Sequence, residues 1–226
     1  MEKVTNKICE EIKIGNNIKK QYRVKNNKVN EKDTSSKHLY PPFNINKATK
    51  IIIGTIPSSE FCKNEECNHD EHWYYGSKKN KFWELVNDNL ACATVKSKKD
   101  FMCHNKIGIF DMIVECCREN NSASDSKLYN ITLINIKEII EQNQSETLKI
   151  FFTSSFVATL FNFCLNIDGE KARVNVINRA KQDNRIYEKN VEFNILYSPS
   201  PQALRGMTKL ENPEQTRKEQ YKKISE

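Results

Sequence analysis

Apolar residues fall along this chain in short dense runs separated by polar, turn-forming stretches. Residues 50–60, KIIIGTIPSSE, open on three isoleucines, break at Gly54 and turn at Pro57, the pattern of a buried strand entering a loop. Residues 81–90, KFWELVNDNL, put Phe82, Trp83, Val86 and Leu90 on one helical face. KIGIFDMIVECC (106–117) reads as a second buried strand running toward a helix, and ITLINIKEIIEQN (131–143) as an amphipathic helix. LKIFFTSSFVATLFNFC (148–164) repeats the strand–turn–helix order with small hydroxyl residues at the turn, and VEFNILYSPSPQALRG (191–206) is a strand ending in a proline-rich loop. In ENPEQTRKEQYKKI (211–224), Asn212 takes the N-cap position and Pro213 the first helical position of a C-terminal helix. Strands alternating with helices predict an α/β layer fold with a mainly parallel sheet. Ligands of such sheets bind beyond the carboxyl ends of the strands. Here those ends are GTIPSS, IFDM, FTSS and YSPSP.

Residues 1–37 lack this patterning. Lys, Asn and Glu dominate them, which predicts a poorly ordered or appended arm, with 38–226 as a single domain. HLYPPFNIN marks the entry to that domain, because proline favours extended or turn geometry. The formal net charge of +7 favours an anionic partner, although a lysine surplus also serves solubility. The opening MEKVTNKICEEIKIG lacks the apolar stretch of a signal peptide, and no run reaches bilayer-spanning length, so a cytoplasmic protein (nuclear in a eukaryote) without a membrane partner is expected. Eight cysteines in that setting read as reduced thiols. Cys62, Cys67, His69 and His72 carry zinc-type donors, but their order matches no established zinc spacing, and a polar insertion with incidental ligands is expected. Cys92, Cys103, Cys116, Cys117 and Cys164 are expected to pack as small apolar residues.

Residues 73–83, WYYGSKKNKFW, set aromatic rings beside lysines, which suits either core packing with a basic rim or a hold on a flat, anionic ligand. GTIPS (54–58) resembles the Gly-x-x-Pro-small turn after the first strand of the uracil-DNA glycosylase superfamily, in its hypoxanthine (deoxyinosine) and mismatch-specific branch. YYGSKKNKFW (74–83) is similar to that branch's aromatic-small-His-Pro-x-Asn-x-Phe-Trp segment, with Tyr75 at the stacking aromatic and Asn80 at the asparagine. IGIFDMIVECCRENNSASDS (107–126) resembles its Ile-Gly-Leu-Trp-Asp run and the Ser-x-Asp-Ser turn that follows, and YSPSP (197–201) resembles its last Pro/Ser-rich loop. The match runs in order over roughly residues 45–205. It departs from the pattern in three places. Ile56 stands where some relatives carry a catalytic asparagine, Ser77-Lys78 replaces His-Pro, and Thr153-Ser154-Ser155 replaces a Phe-Asn-Gly type of base-reading turn.

The resemblance implies a three-layer α/β/α fold around a central, mainly parallel four-stranded sheet. It also implies a monofunctional DNA glycosylase, a monomer acting on DNA with a damaged base, hypoxanthine or uracil, and needing no cofactor. Such an enzyme takes the nucleotide out of the stack into a pocket. Gly54, Thr55, Ile56 and Pro57 would floor that pocket, Tyr75 would stack on the base, and Phe110, Thr153 and Ser154 would complete it. Asn80 would orient the attacking water from the same hollow, since an amide oxygen positions water without being a strong base. Ser58, Ser59, Ser198 and Ser200 would hold DNA phosphates, Lys78 and Lys79 would add salt-dependent attraction, and Leu204-Arg205 would wedge into the vacated stack.

Each role has a plainer counterpart. Asn80 suits a helix N-cap, Tyr74 and Tyr75 suit the core, the serines suit ordinary turns, the lysines a solvated face and 204–205 a surface loop. Asp111 and Asp125 are expected to stabilise loops rather than activate water. A catalytically silent nucleic-acid-binding protein of the same fold is the competing function.

Overall fold

A computed structural model of the chain describes residues 9–11, 22–24, 32–58, 72–77, 80–167, 185–207 and 210–226. The isoleucine run forms β4 (Lys50–Gly54), with β5 (Ile107–Asp111) on one side and β8 (Thr147–Phe152) on the other, both parallel to it. Outside β8 comes β10 (Lys189–Ile195), again parallel, and then the two-residue β9 (Arg185–Ile186), antiparallel, at the margin. The sheet order is therefore β5-β4-β8-β10-β9: four parallel strands, as expected, plus a short antiparallel fifth. The first parallel strand in the chain lies inside the sheet, with its successors placed on both sides. The chain therefore reverses its winding direction between β4 and β8, the place where ligands of such sheets bind.

Both faces of this sheet are apolar, because a parallel sheet covered on both sides must bury every side chain. Ile51, Ile53, Phe110, Ile150 and Phe152 face one hydrophobic cluster, whereas Ile52, Ile107, Ile109 and Phe151 face the other. The second face is covered by α1 (Phe82–Val86), α2 (Val95–His104) and α5 (Pro213–Ser225), and the first by α3 (Ile136–Gln142) and α4 (Ser155–Ile167). The predicted face of residues 81–90 is buried as expected, but Asn87 ends α1, and Asp88–Leu90 continue as a 3-10 turn. Asn212 caps α5 through the Gln215 N–H, with Pro213 at the first position, as the sequence indicated.

Two sequence expectations are corrected. Residues 113–118 are a strand, β6, not the start of a helix, and 128–133 are a strand, β7, so only the second half of ITLINIKEIIEQN is helical. In β6 buried Ile113, Cys116 and Arg118 are separated by less buried Val114, Glu115 and Cys117. The irregular spacing matches register shifts at Glu115, which disguise the two-residue strand period. β6 and β7 belong to a second, wholly antiparallel sheet of order β1-β2-β7-β6-β3. Its remaining strands come from the stretch read as an arm: β1 (Cys9–Glu11), β2 (Tyr22–Val24) and β3 (Thr34–Lys37). The carboxyl end of β3 delivers the chain to the same end of the molecule as β5, since the His38 N–H bonds the Val114 carbonyl 2.7 Å away.

Candidate active site at the carboxyl ends of the parallel strands

Three side chains, of Asp111, Tyr75 and Thr153, meet around Gly54 where β4, β5 and β8 end. Gly54 closes β4 and pairs in register with Asp111, the last residue of β5. A methyl group on Gly54 would overlap both the Asp111 Oδ1 and the Tyr75 hydroxyl, so this position has to be glycine for its neighbours to stand where they do. The Tyr75 hydroxyl donates to Thr153 Oγ1 at 3.1 Å, and Thr153 is the first residue past β8. The Tyr75 ring lies flat on Phe82, with centroids 4.1 Å apart and planes 15° from parallel. Tyr75 has φ 55, a left-handed conformation that non-glycine residues rarely adopt. The stack and the hydroxyl contact hold it there. Burial, reinforced by the Asp111 charge, pushes the Tyr75 phenol far above its usual pKa, so it remains a neutral donor.

Asp111 is paired on its other side. Its Oδ2 lies 2.8 Å from His38 Nε2, and each of the two side chains is only 6% exposed. His38 Nδ1 accepts the Tyr40 N–H at 3.0 Å. The rings of Tyr40 and Tyr74 pack against the imidazole, 5.9 and 5.3 Å away between centroids.

A second carboxylate, Asp125 in the 3-10 turn Asp125–Lys127 after β6, contacts the loop beyond β4. The Thr55 hydroxyl donates to Asp125 Oδ2 at 3.1 Å. Burial raises the Asp125 pKa, while the Thr55 bond and the nearby Arg118 charge pull it back. Arg118 is itself buried and ties this region together. Its Nε donates to Ser36 Oγ at 3.0 Å, its Nη2 to the Pro57 carbonyl at 2.6 Å and its Nη1 to the Ser122 carbonyl at 3.3 Å.

Asn80 stands in the turn before α1. Its side-chain oxygen accepts the Phe82 N–H at 2.9 Å, a local turn bond from the residue before the N-cap. The N-cap is Lys81, which has no side-chain capping bond, so the N-cap expectation for Asn80 is corrected. The next residue, Lys81, donates its N–H to the Pro199 carbonyl at 3.2 Å, so the Asn80 turn abuts the Ser-Pro loop. That loop is clamped from α5. Arg217 Nη1 reaches the Ser198 and Ser200 carbonyls at 3.4 and 3.3 Å, and the Tyr221 hydroxyl reaches the Tyr197 carbonyl at 2.9 Å.

The structure thus brings Gly54, Tyr75 and Thr153 together and places Thr55 and Pro57 beside them. Ile56 is half-buried against the core. Phe110 is a correction: it is wholly buried within the core under the sheet, because its position in β5 points away from the strand ends. The Ser154 hydroxyl accepts the Val157 N–H at the start of α4, and the Ser198 hydroxyl accepts the Ser200 N–H, so both serve local turns. Leu204 and Arg205 lie in the 3-10 turn Pro201–Gly206, where Leu204 is half-buried. Lys78, Lys79, Ser59, Cys62, Cys67 and His69 lie outside the described residues, although His72 is within them. An open groove of about 680 Å³ lies away from the strand ends, between residues 42–47 and α3, and none of the predicted site residues lines it.

Sequence inspection missed His38 and Arg118. HLYPPF presents the histidine as punctuation before a proline turn, and a lone arginine at a strand end carries no signal of its own burial.

The doubly covered parallel sheet, with its polar convergence at the winding reversal, has the fold of the uracil-DNA glycosylase superfamily. A solution NMR structure of a candidate uracil DNA glycosylase from Methanosarcina acetivorans matches 85% of this chain and 100% of its own, with a TM-score of 0.50 and 19% identity. In sequence, the chain is similar to that superfamily's hypoxanthine branch. It is 32% identical over 82 residues to a hypoxanthine DNA glycosylase of Methanosarcina acetivorans, a match spanning 34% of this chain and 46% of that protein. No protein-family profile matches the chain.

Proposed function

We propose that this protein is a monofunctional DNA glycosylase that hydrolyses the N-glycosidic bond of a deaminated base, hypoxanthine first and uracil second. The observation that carries this proposal is the convergence of Tyr75, Thr153, Gly54 and Asp111 at the carboxyl ends of the parallel strands in a glycosylase fold. Tyr75 is backed by Phe82 and offers its second face to an extruded base, for which stacking makes little demand on identity. Amides of the GTIPS loop are the donors for negative charge on the departing base. The Arg118 bond to the Pro57 carbonyl keeps that loop in place. Asn80 retains one lone pair on its oxygen beyond its bond to the Phe82 N–H, and that lone pair is available to a water. The Ser-Pro loop faces the DNA backbone.

Incubation with duplexes bearing one hypoxanthine, uracil, xanthine or mismatch, followed by alkali, tests the proposal. Scission only after alkali, with hypoxanthine released fastest, is expected. Asn80→Ala should reduce release and also cost about 1 kcal/mol of stability through the lost hydrogen bond to the Phe82 N–H, read by thermal denaturation. That local turn bond of Asn80 favours one competing reading, a nucleic-acid-binding protein without activity. Salt-dependent duplex binding with no base released from any substrate would establish it.

A further inference from the structure

We propose that Asp111 is the group that takes the proton from the attacking water, and that His38, supplied by the segment after β3, is its positioning residue. This assignment rests on the glycosylase function proposed above. The hydrogen-bond pattern fixes the histidine's tautomer. The Tyr40 N–H is a backbone donor and cannot act as an acceptor, so His38 Nδ1, 3.0 Å from it, carries no proton. The imidazole hydrogen is therefore on Nε2 and points at Asp111 Oδ2, 2.8 Å away. One carboxylate oxygen is thereby held, and the carboxyl plane is set by a ring that Tyr40 and Tyr74 wedge in place. The other oxygen, Oδ1, lies over Gly54 beside the Tyr75 hydroxyl, at the carboxyl ends of β4 and β5.

The Tyr75 hydroxyl donates elsewhere, to Thr153, which in turn donates to the Ile53 carbonyl. That donor chain runs away from Asp111 and leaves Oδ1 without a proton from this neighbour. A carboxylate oriented on one oxygen, with no hydrogen bond to the other from the described residues, among aromatic rings and beside a glycine, is arranged to accept a proton. In the step assigned here, the water oxygen bonds to the sugar's anomeric carbon as the bond from that carbon to the base nitrogen breaks, and its electron pair leaves with the base. The water's proton passes to Asp111 Oδ1 and then to solvent, and the departing base takes a proton from solvent. His38 moves no proton, because its second nitrogen is tied to an amide.

Single-turnover release from a hypoxanthine duplex, with duplex affinity measured separately, tests the assignment. Asp111→Asn keeps the shape and should slow release by about a hundredfold or more with affinity unchanged. His38→Leu should slow it by about ten- to a hundredfold. His38→Gln, whose amide can still donate to Oδ2, should recover part of that loss. Wild-type release rates in Asp111→Asn would overturn the assignment to Asp111. If that variant fails to fold by circular dichroism, equal rates for His38→Leu, His38→Gln and wild type would overturn the assignment instead. Wild-type protein that releases no base would refute the glycosylase function itself, and the role of Asp111 with it.

Discussion

At the scale of single residues, the site is defined by what glycine leaves out. Gly54 lacks a side chain, and the Asp111 carboxylate and the Tyr75 phenol fill the space a methyl group would need. Gly54→Ala should therefore displace both groups together. We expect base release to be lost and thermal stability to fall by about 1–3 kcal/mol, the usual cost of overpacking a filled interior. Asp125 offers a separate check through pH. Burial raises its pKa above the unfolded value, so the folded state binds its proton more tightly than the unfolded chain does. Its contribution to stability is complete at pH values below the ordinary carboxylate pKa and is lost as pH rises through the raised one. Asp125→Asn removes that dependence. The melting temperature of the variant, followed from acid to neutral pH, should fall less than that of the wild type. Sequence motifs located Gly54, Tyr75 and Asn80 but not what each touches. The sequence suggested Asn80 as the N-cap of α1, but Lys81 holds that position, and the 2.9 Å contact of Asn80 to the Phe82 N–H is a turn bond one residue earlier.

At the scale of elements, the parallel strands were legible because a strand covered on both faces is apolar without interruption, as in KIII and KIFF. The antiparallel sheet was not. β6 and β7 have irregular spacing, and β3 is the polar TSSK, whose single buried residue, Ser36, is held by Arg118. α2 went unread for a related reason: only Lys98 and Met102 of its ten residues are buried, so no apolar stripe announces it. Arg118 joins these elements by bonding β3, the loop after β6 and the loop after β4 at once. Arg118→Met should leave the Pro57 and Ser122 carbonyls without their donor. A loss of about 2–5 kcal/mol follows from the penalty for unsatisfied buried polar groups, measurable by denaturant unfolding. The GTIPS loop should become more open to amide hydrogen exchange at the same time.

For the molecule as a whole, a formal net charge of +7 makes attraction to a polyanion the first event of any encounter with DNA. Affinity for an undamaged duplex should fall steeply and linearly on a log–log plot as salt rises, with a slope that counts the phosphates neutralised. Fluorescence anisotropy at several ionic strengths reads that slope. A flat response would remove DNA backbone contact from the account. If the proposed function holds, base release under single-turnover conditions at saturating enzyme should depend far less on salt, because the salt-sensitive association step is then already complete.

The outer rim of β5 would otherwise expose unpaired amides and carbonyls to any passing strand. Phe43 occupies part of it, exchanging two backbone hydrogen bonds with Ile109 at 2.9 and 3.0 Å. The opposite rim ends in a two-residue strand too short to template another. Neither rim of the parallel sheet therefore offers a second copy of the chain an easy route to stacking edge to edge.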